Sequence, residues 1–320
     1  MPSMDVFDSP LGAVLAPARR ILLAGAGGGF DIFCGLPLFF ALRAQGKEVH
    51  LANLSFTSLS GVSGRRRSPV WLEVTADSTG PEHYFPELHL CRSLRRQGTE
   101  VTIHCFSRTG VKPLTEAYQS LCAELQPDAI VLVDGGTDSL MRGDEAGLGT
   151  PVEDVASILS ASAVDCPRKL LLAVGFGVDT FHGVCHADFL RSVAELTSDG
   201  AFLGAFSLLR EMPSVRAWRE VVLDVFRAMP NHPSIVSASV LSAIEGRYGD
   251  YHMTFRTQGS ELFINPLMGL CWVFQLDAVA RRILYAELVR GTESPLELAS
   301  AIEKFRMAHP HIREWKTLPF

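Results

Sequence analysis

The chain lacks most of the features that would assign it quickly. Its longest apolar runs, residues 32–42 and 267–276, fall short of the roughly 18 consecutive residues a bilayer span requires. Basic charge is not in excess, with 29 Lys and Arg against 35 Asp and Glu, so the positive face that meets a nucleic-acid backbone is not expected. The seven cysteines are odd in number and contain no CxxC pair, which reads as reduced core thiols rather than a disulfide framework. Residues 1–10 carry Asp5 and Asp8 but no Lys or Arg, unlike the basic start of a secretory signal. These absences together predict a cytoplasmic protein with neither a membrane nor a nucleic-acid partner.

The common catalytic signatures are missing as well. No GxxxxGK[ST] occurs, which excludes a standard phosphate-binding P-loop, and neither GxSxG nor HExxH is found. A dinucleotide fingerprint fails in two places: Phe30 stands where the third glycine belongs, and Asn53 ends the second apolar run where an acid for a ribose is expected. The Gly25, Gly27, Gly29 spacing resembles a methyltransferase loop, but Leu22 and Leu23 stand where that loop is preceded by an acid.

What the chain does contain is a large apolar fraction, 47% against 20% charged over 320 residues. A chain of this length buries roughly 75% of the surface exposed when unfolded. From residue 20 onward, short β-rich apolar runs alternate with amphipathic segments, the pattern of βαβ units. Strands are predicted at 21–24, 49–54, 101–106, 129–133, 170–174 and 201–206, and helices at 31–45, 86–96, 113–125 and 184–196. Continuous runs such as Ile130-Val131-Leu132-Val133 suit a parallel strand buried on both faces. Beyond residue 212 the pattern becomes helices at 215–229 and 233–245, a hairpin of 251–256 with 261–264, and two terminal helices. The fold class is therefore α/β, a Rossmann-like, doubly wound and mostly parallel sheet with a C-terminal helical and hairpin appendage. The predicted organisation is an N-terminal extension (1–19), the α/β core (20–211) and a packed cap (212–320). Thr150-Pro151-Val152-Glu153 and Ser294-Pro295-Leu296-Glu297 each predict a helix start with a capping box. The serine-rich stretch 55–68, ending in Arg65-Arg66-Arg67, reads as a solvated loop or as a mobile lid carrying guanidinium groups.

In open α/β sheets ligands bind beyond the carboxyl ends of the strands, and the residues that follow these runs share a character. The first run leads into Gly25-Ala26-Gly27-Gly28-Gly29-Phe30-Asp31, the third into Ser107-Arg108-Thr109-Gly110, the fourth into Asp134-Gly135-Gly136-Thr137-Asp138 and the fifth into Gly175-Phe176-Gly177-Val178-Asp179. Glycines at such turns let backbone N–H groups face an anion. Gly27, Gly28, Gly29, Asp31, Arg108, Gly135, Gly136, Thr137 and Gly177 are therefore the candidate ligand-binding residues. Asp134, Asp138, Asp179 and His182 are the candidate catalytic ones. Clustered carboxylates persist by sharing a proton, meeting an arginine or holding a hard cation such as Mg²⁺, so the cofactor is left unassigned, with Mg²⁺ compatible and no metal ligands named. Asp144 and Glu145 are read as solvent-facing and Glu153 as a cap. His182 and His186, one helical turn apart if a helix has begun, form a weaker metal motif with Asp179.

Four of these segments resemble, in order, a prokaryotic family known as domain of unknown function 1152. They are AGAGGGFDIFCGLPLFFALRAQG, VDGGTDSLMRGDEAGLGTPVEDV, VGFGVDTFHG and LGAFSL, spread over residues 20 to 210. The resemblance implies an α/β domain and draws attention to Gly27, Gly28, Gly29 and Asp31, and to Asp134-Gly135-Gly136-Thr137-Asp138, without implying an activity. From the residues themselves, the expected function is hydrolysis or group transfer on a small anionic, phosphorylated or nucleotide-like metabolite. The alternatives are a non-catalytic metabolite sensor, a dinucleotide-binding protein and a scaffold whose site has decayed. A homo-oligomer is compatible with each.

Overall fold

A computed structural model describes residues 9–318. Much of the predicted N-terminal extension, and most of the stretch read for a secretory signal, lies outside the described residues. Five parallel strands form the centre: β1 (Arg20–Gly25), β2 (Glu48–Ser55), β5 (Ile103–Ser107), β6 (Ala129–Asp134) and β7 (Lys169–Val174). Each corresponds to a predicted run. Their side chains alternate between two cores. Leu22, Ala24, Ile130, Leu132 and Leu171 face one, while Ile21, Leu23, Val131, Val133 and Leu172 face the other. The period of two combined with burial on both faces is what makes the sequence continuously apolar.

The remaining strands correct the expectation of a mostly parallel sheet. β3 (Arg65–Ser68) and β4 (Trp71–Val74) add antiparallel to β5 at one edge. At the other edge β11 (Leu270–Gln275) pairs antiparallel with both β7 and β8 (Phe202–Ser207). The nine-stranded order is β3-β4-β5-β2-β1-β6-β7-β11-β8, and the four parallel pairings are matched by four antiparallel ones. The sheet is mixed because a segment far along the chain, Leu270–Gln275, inserts between two strands of the same direction. The C-terminal residues thus contribute a sheet strand as well as helices.

Helices cover both faces. α1 (Pro10–Leu15), α2 (Asp31–Cys34), α3 (Leu36–Ala44), α4 (Pro86–Arg96) and α8 (Pro213–Ala228) pack on the face of Leu23. α5 (Val111–Leu125), α6 (Pro151–Ser162), α7 (His186–Ser198), α10 (Leu276–Arg282), α11 (Ala286–Val289) and α12 (Pro295–Ala308) pack on the face of Leu22. α9 (Ile235–Ile244) lies near the carboxyl end of β7, where Gly175 approaches Val236 and Val240. All seven cysteines are buried and unpaired. Among the described residues no helix is long and apolar enough to cross a membrane.

Three local expectations give way to tertiary contacts. The predicted hairpin is reduced to two-residue strands, β9 (Gly249–Asp250) and β10 (Phe263–Ile264). His252 bonds to Thr257 at 2.9 Å and Arg256 donates to Pro233 O at 2.9 Å, folding the intervening chain into a turn. The arginine-rich lid is instead the edge strand β3. Arg66 donates to Leu59 O at 2.6 Å, and Arg67 pairs with Glu73 and Glu124 while lying over the Trp71 ring. Of the two capping boxes, the Ser294 half of one forms, its hydroxyl accepting from Glu297 N at 3.2 Å, while the Glu297 carboxylate accepts from Glu293 N, one residue before the cap, rather than from Ser294 N. The one at Thr150 does not: its hydroxyl caps no helix N–H, and its own N–H, the donor a capping glutamate would accept from, donates instead to Asp138 at 2.8 Å, as does the hydroxyl.

Candidate functional site

Within the parallel strands, in chain order first to fifth, the spatial order is third, second, first, fourth, fifth. The winding therefore reverses between β1 and β6, which opens a crevice at their carboxyl ends. A cavity of about 360 Å³ occupies this place, lined by Gly27, Gly28, Asp31, Phe56, Arg108, Asp134, Gly135, Asp138, Thr150, Glu153, Asp154, Asp179, His182 and Val236. Loops after β1, β5, β6 and β7 meet there, so stretches more than a hundred residues apart share one wall. Gly29, Gly136, Thr137 and Gly177 are not among the lining residues.

The glycine loop holds an acid that belongs to the chain itself. Gly27 N donates to Asp31 Oδ2 at 2.5 Å, and the N–H groups of Gly135 and Gly28 also turn toward that carboxylate. Gly29 N is occupied by Leu54 O at 2.9 Å, while Gly29 O accepts from Asn53 Nδ2 at 2.8 Å. Asn53, which stands where a ribose-binding acid was sought, therefore anchors the loop to β2. Gly27 is required by proximity, because a Cβ there would lie 2.4 Å from Asp154 Oδ1 and 2.8 Å from Asp31 Oδ2. Gly28 has φ +93°, a conformation that favours glycine.

The other acids are held from below. Asp134 ends β6 and accepts from Ser139 Oγ at 2.5 Å. Asp138 accepts the two bonds from Thr150. Asp179 accepts from Thr137 N at 2.6 Å, and Gly136 leaves room for its carboxylate. Gly136 and Thr137 thus position Asp179 without facing the cavity. Gly177, with its carbonyl accepting from Thr180 Oγ1, turns toward His186. The two histidines do not form the anticipated pair: α7 starts only at His186, beyond Gly183. His186 bonds to Thr180 at 3.0 Å and stacks on Phe176, whereas His182 stays exposed at the cavity mouth.

Charge in this cavity is strongly one-sided. Burial first, and then the charge of Asp138, push Asp31 up to about 8. The same two causes raise Asp134, Asp154 and Asp179 well above the usual carboxylate range. Glu153 is raised by burial against the pull of Arg108, whose Nε lies 2.9 Å from its carboxylate. Arg108 also lies over the Phe56 ring, 5.4 Å from its centroid, at the rim. Asp154 is the residue that sequence reasoning passed over. It follows Glu153 in the first turn of α6, where an acid is expected on helix-dipole grounds alone, and nothing local marks it as turned into a cavity.

The arrangement defines an α/β protein with a large mixed sheet and an acid-lined cavity at the ends of its parallel strands. Residues 22–308 match the family model described as protein of unknown function (DUF1152), and the chain belongs to that prokaryotic family. No curated protein and no solved structure matches it.

Proposed function

We propose that this protein is an enzyme acting on a small anionic metabolite, phosphorylated or nucleotide-like, by hydrolysis or group transfer. The observation that carries this reading is the convergence of Asp31, Arg108, Asp134, Asp138 and Asp179 on one cavity beside the reversal of strand winding. The fold is read as a Rossmann-like, doubly wound core enlarged by antiparallel strands at both edges, supported by the order of its five parallel strands. The cavity falls within the roughly 300–1,000 Å³ of small-molecule sites. Arg108, half exposed at the rim, meets ligand charge, and the neighbouring Phe56 offers an aromatic face. Asp134 and Asp138 position water or a hydroxyl group. Asp179, fixed by Thr137, is placed to hold or move a proton, with His182 at the mouth as a second proton carrier. The glycine loop contributes by fixing Asp31, and Gly28 is its surface toward the ligand. Seven buried, unpaired thiols support a cytoplasmic setting.

The test is a thermal-shift screen of nucleotides, sugar phosphates and inorganic phosphate with Mg²⁺ present, followed by assay of any binder for turnover. A true ligand at a hundred times its Kd stabilises by about 2.7 kcal/mol. Asp179→Asn is expected to retain that shift and lose turnover. A screen in which no phosphorylated compound shifts the protein or is converted overturns the reading.

A further inference from the structure

Resting on the reading just given, the cavity presents an electrostatic conflict. Six carboxylates line it, from Asp31, Asp134, Asp138, Glu153, Asp154 and Asp179, and the only arginine among the lining residues is already paired with Glu153. With these acids ionised an entering anion would be repelled, and with them protonated the cavity would offer it no free cation. One subset of the acids resolves the conflict. A carboxylate oxygen from each of Asp31, Asp134 and Asp154 lies within 4.8 Å of the other two. A point among three such oxygens is at most about 2.8 Å from each, and drawing them in by about 0.7 Å at most reaches the ~2.1 Å of a small hard divalent cation such as Mg²⁺.

Proximity of acids alone would not distinguish a site from a strained cluster. Asp154 supplies the second observation. Its side chain is 3% exposed, and its Oδ2 has no hydrogen-bond partner among the described residues. Its other oxygen leans over the α-carbon of Gly27, beside Asp31 Oδ2, so the carboxylate is turned into the cluster rather than back to its own helix. A buried carboxylate with an unused oxygen is unfavourable unless it takes a proton or meets a cation. Asp31 and Asp134, in contrast, each spend an oxygen on donors from their own loops, Gly27 N and Ser139 Oγ, which fixes their orientation. Oriented ligands with partly free oxygens are the arrangement that supports a bound metal ion.

We propose that Asp31, Asp134 and Asp154 form a site for one hard divalent cation, Mg²⁺ or Mn²⁺, that bridges the protein to the anionic group of the substrate. The three acids come from the start of α2 after the β1 loop, from the end of β6 and from the first turn of α6, so the ion joins the two halves of the sheet at the crevice. Remaining coordination positions face the cavity, where water or substrate oxygens complete the shell. The carboxylates supply no thiolate or imidazole, which disfavours soft ions.

The test is direct titration of the EDTA-stripped full chain with Mn²⁺, followed by electron paramagnetic resonance and calorimetry, with no anion present. One Mn²⁺ per chain is expected, displaced by Mg²⁺, with at least a tenfold weaker Kd in Asp154→Asn and in Asp134→Asn. Circular dichroism and a thermal melt establish that each variant is folded, and Asp154→Glu provides a ligand-retaining substitute should either amide variant fail to fold. Glu287→Gln, an exposed acid far along the chain, is expected to bind as wild type. Absence of a bound ion, or equal affinity in wild type and the folded variants, overturns the proposal. The two readings fail separately. A phosphorylated ligand that binds equally in EDTA removes the cation and leaves the anion site, whereas Mn²⁺ binding with no phosphorylated ligand in the screen does the reverse.

Discussion

A single stretch, residues 134–154, feeds two acidic clusters that the protein treats in opposite ways. Asp144 and Glu145, with Asp188 of α7, are gathered around Arg313 from the C-terminal tail, at 2.6 Å to Asp144, 3.7 Å to Glu145 and 3.2 Å to Asp188. Glu145 is fully buried, and it also accepts from Gly143 N at 2.8 Å and from Arg142 N. The expectation that Asp144 and Glu145 face solvent is therefore corrected: they tie the tail to the core. Asp134, Asp138 and Asp154 are as deeply buried, but they meet one another and hydroxyl or amide donors instead of an arginine. Where negative charge serves the fold, a guanidinium is built in to neutralise it. Where no arginine is built in, burial and the charge of Asp138 raise Asp134 and Asp154 instead, the contrast on which the proposed site rests.

Removing the built-in cation is the largest expected effect. Arg313→Met leaves Glu145 and Asp188 buried without their counter-charge and is expected to cost about 3–5 kcal/mol, with the thermal midpoint falling by roughly 5–10 °C. Differential scanning calorimetry reads this directly. A variant as stable as wild type would erase the distinction between the two clusters.

A buried acid outside both clusters sharpens the comparison because it is neutralised in another way. Glu87, on α4, accepts from Asn53 Nδ2 at 2.7 Å, and burial pushes it up to about 7 despite that bond and another from Ser55. Between the ordinary glutamate value of 4.5 and about 7, the folded protein holds a proton that the unfolded chain has released. Stability from this group is therefore fully present below 4.5 and is lost as pH rises through 7, to a total of about 3 kcal/mol. Glu87→Gln is expected to flatten that slope and to be the more stable protein at pH 8 in urea unfolding. An unchanged slope would show that the carboxyl stays ionised and is compensated in place, as in the Arg313 cluster.

These acids also show where the sequence is legible. The five parallel strands can be read because burial on both faces leaves runs such as Ala129–Asp134 almost wholly apolar, and their ends point to the loops that meet. The edge strand Arg65–Ser68 cannot, since its arginines satisfy solvent and neighbours at an edge and resemble a loop. Leu270–Gln275 has the apolar run of a buried strand, but only its partners β7 and β8 distinguish it from a helix. Thr150 carries every local mark of a capping box, yet Asp138, twelve residues earlier, takes both of its donors. Asp154 hides for the complementary reason: an acid in a helix's first turn has a sufficient local explanation. Contacts between distant residues decide each of these cases, and no pattern of spacing records them.

The smallest effect on stability is expected at the point where the acid-lined cavity most resembles the Arg313 cluster. Arg108 and Glu153 form an ion pair there, but the arginine side chain is 53% exposed, so water competes for it and the pair contributes less than about 1 kcal/mol. Arg108→Gln should hardly move the thermal midpoint. If Arg108 instead meets ligand charge at the rim, the same substitution should weaken binding of a phosphorylated ligand by about tenfold, the loss of one charge-assisted contact worth about 1.4 kcal/mol. A large loss of stability with unchanged ligand affinity would place Arg108 with Arg313 as a structural counter-charge. The contrast between the two arginines therefore has a measurable sign: one supports the fold and not the ligand, the other the ligand and not the fold.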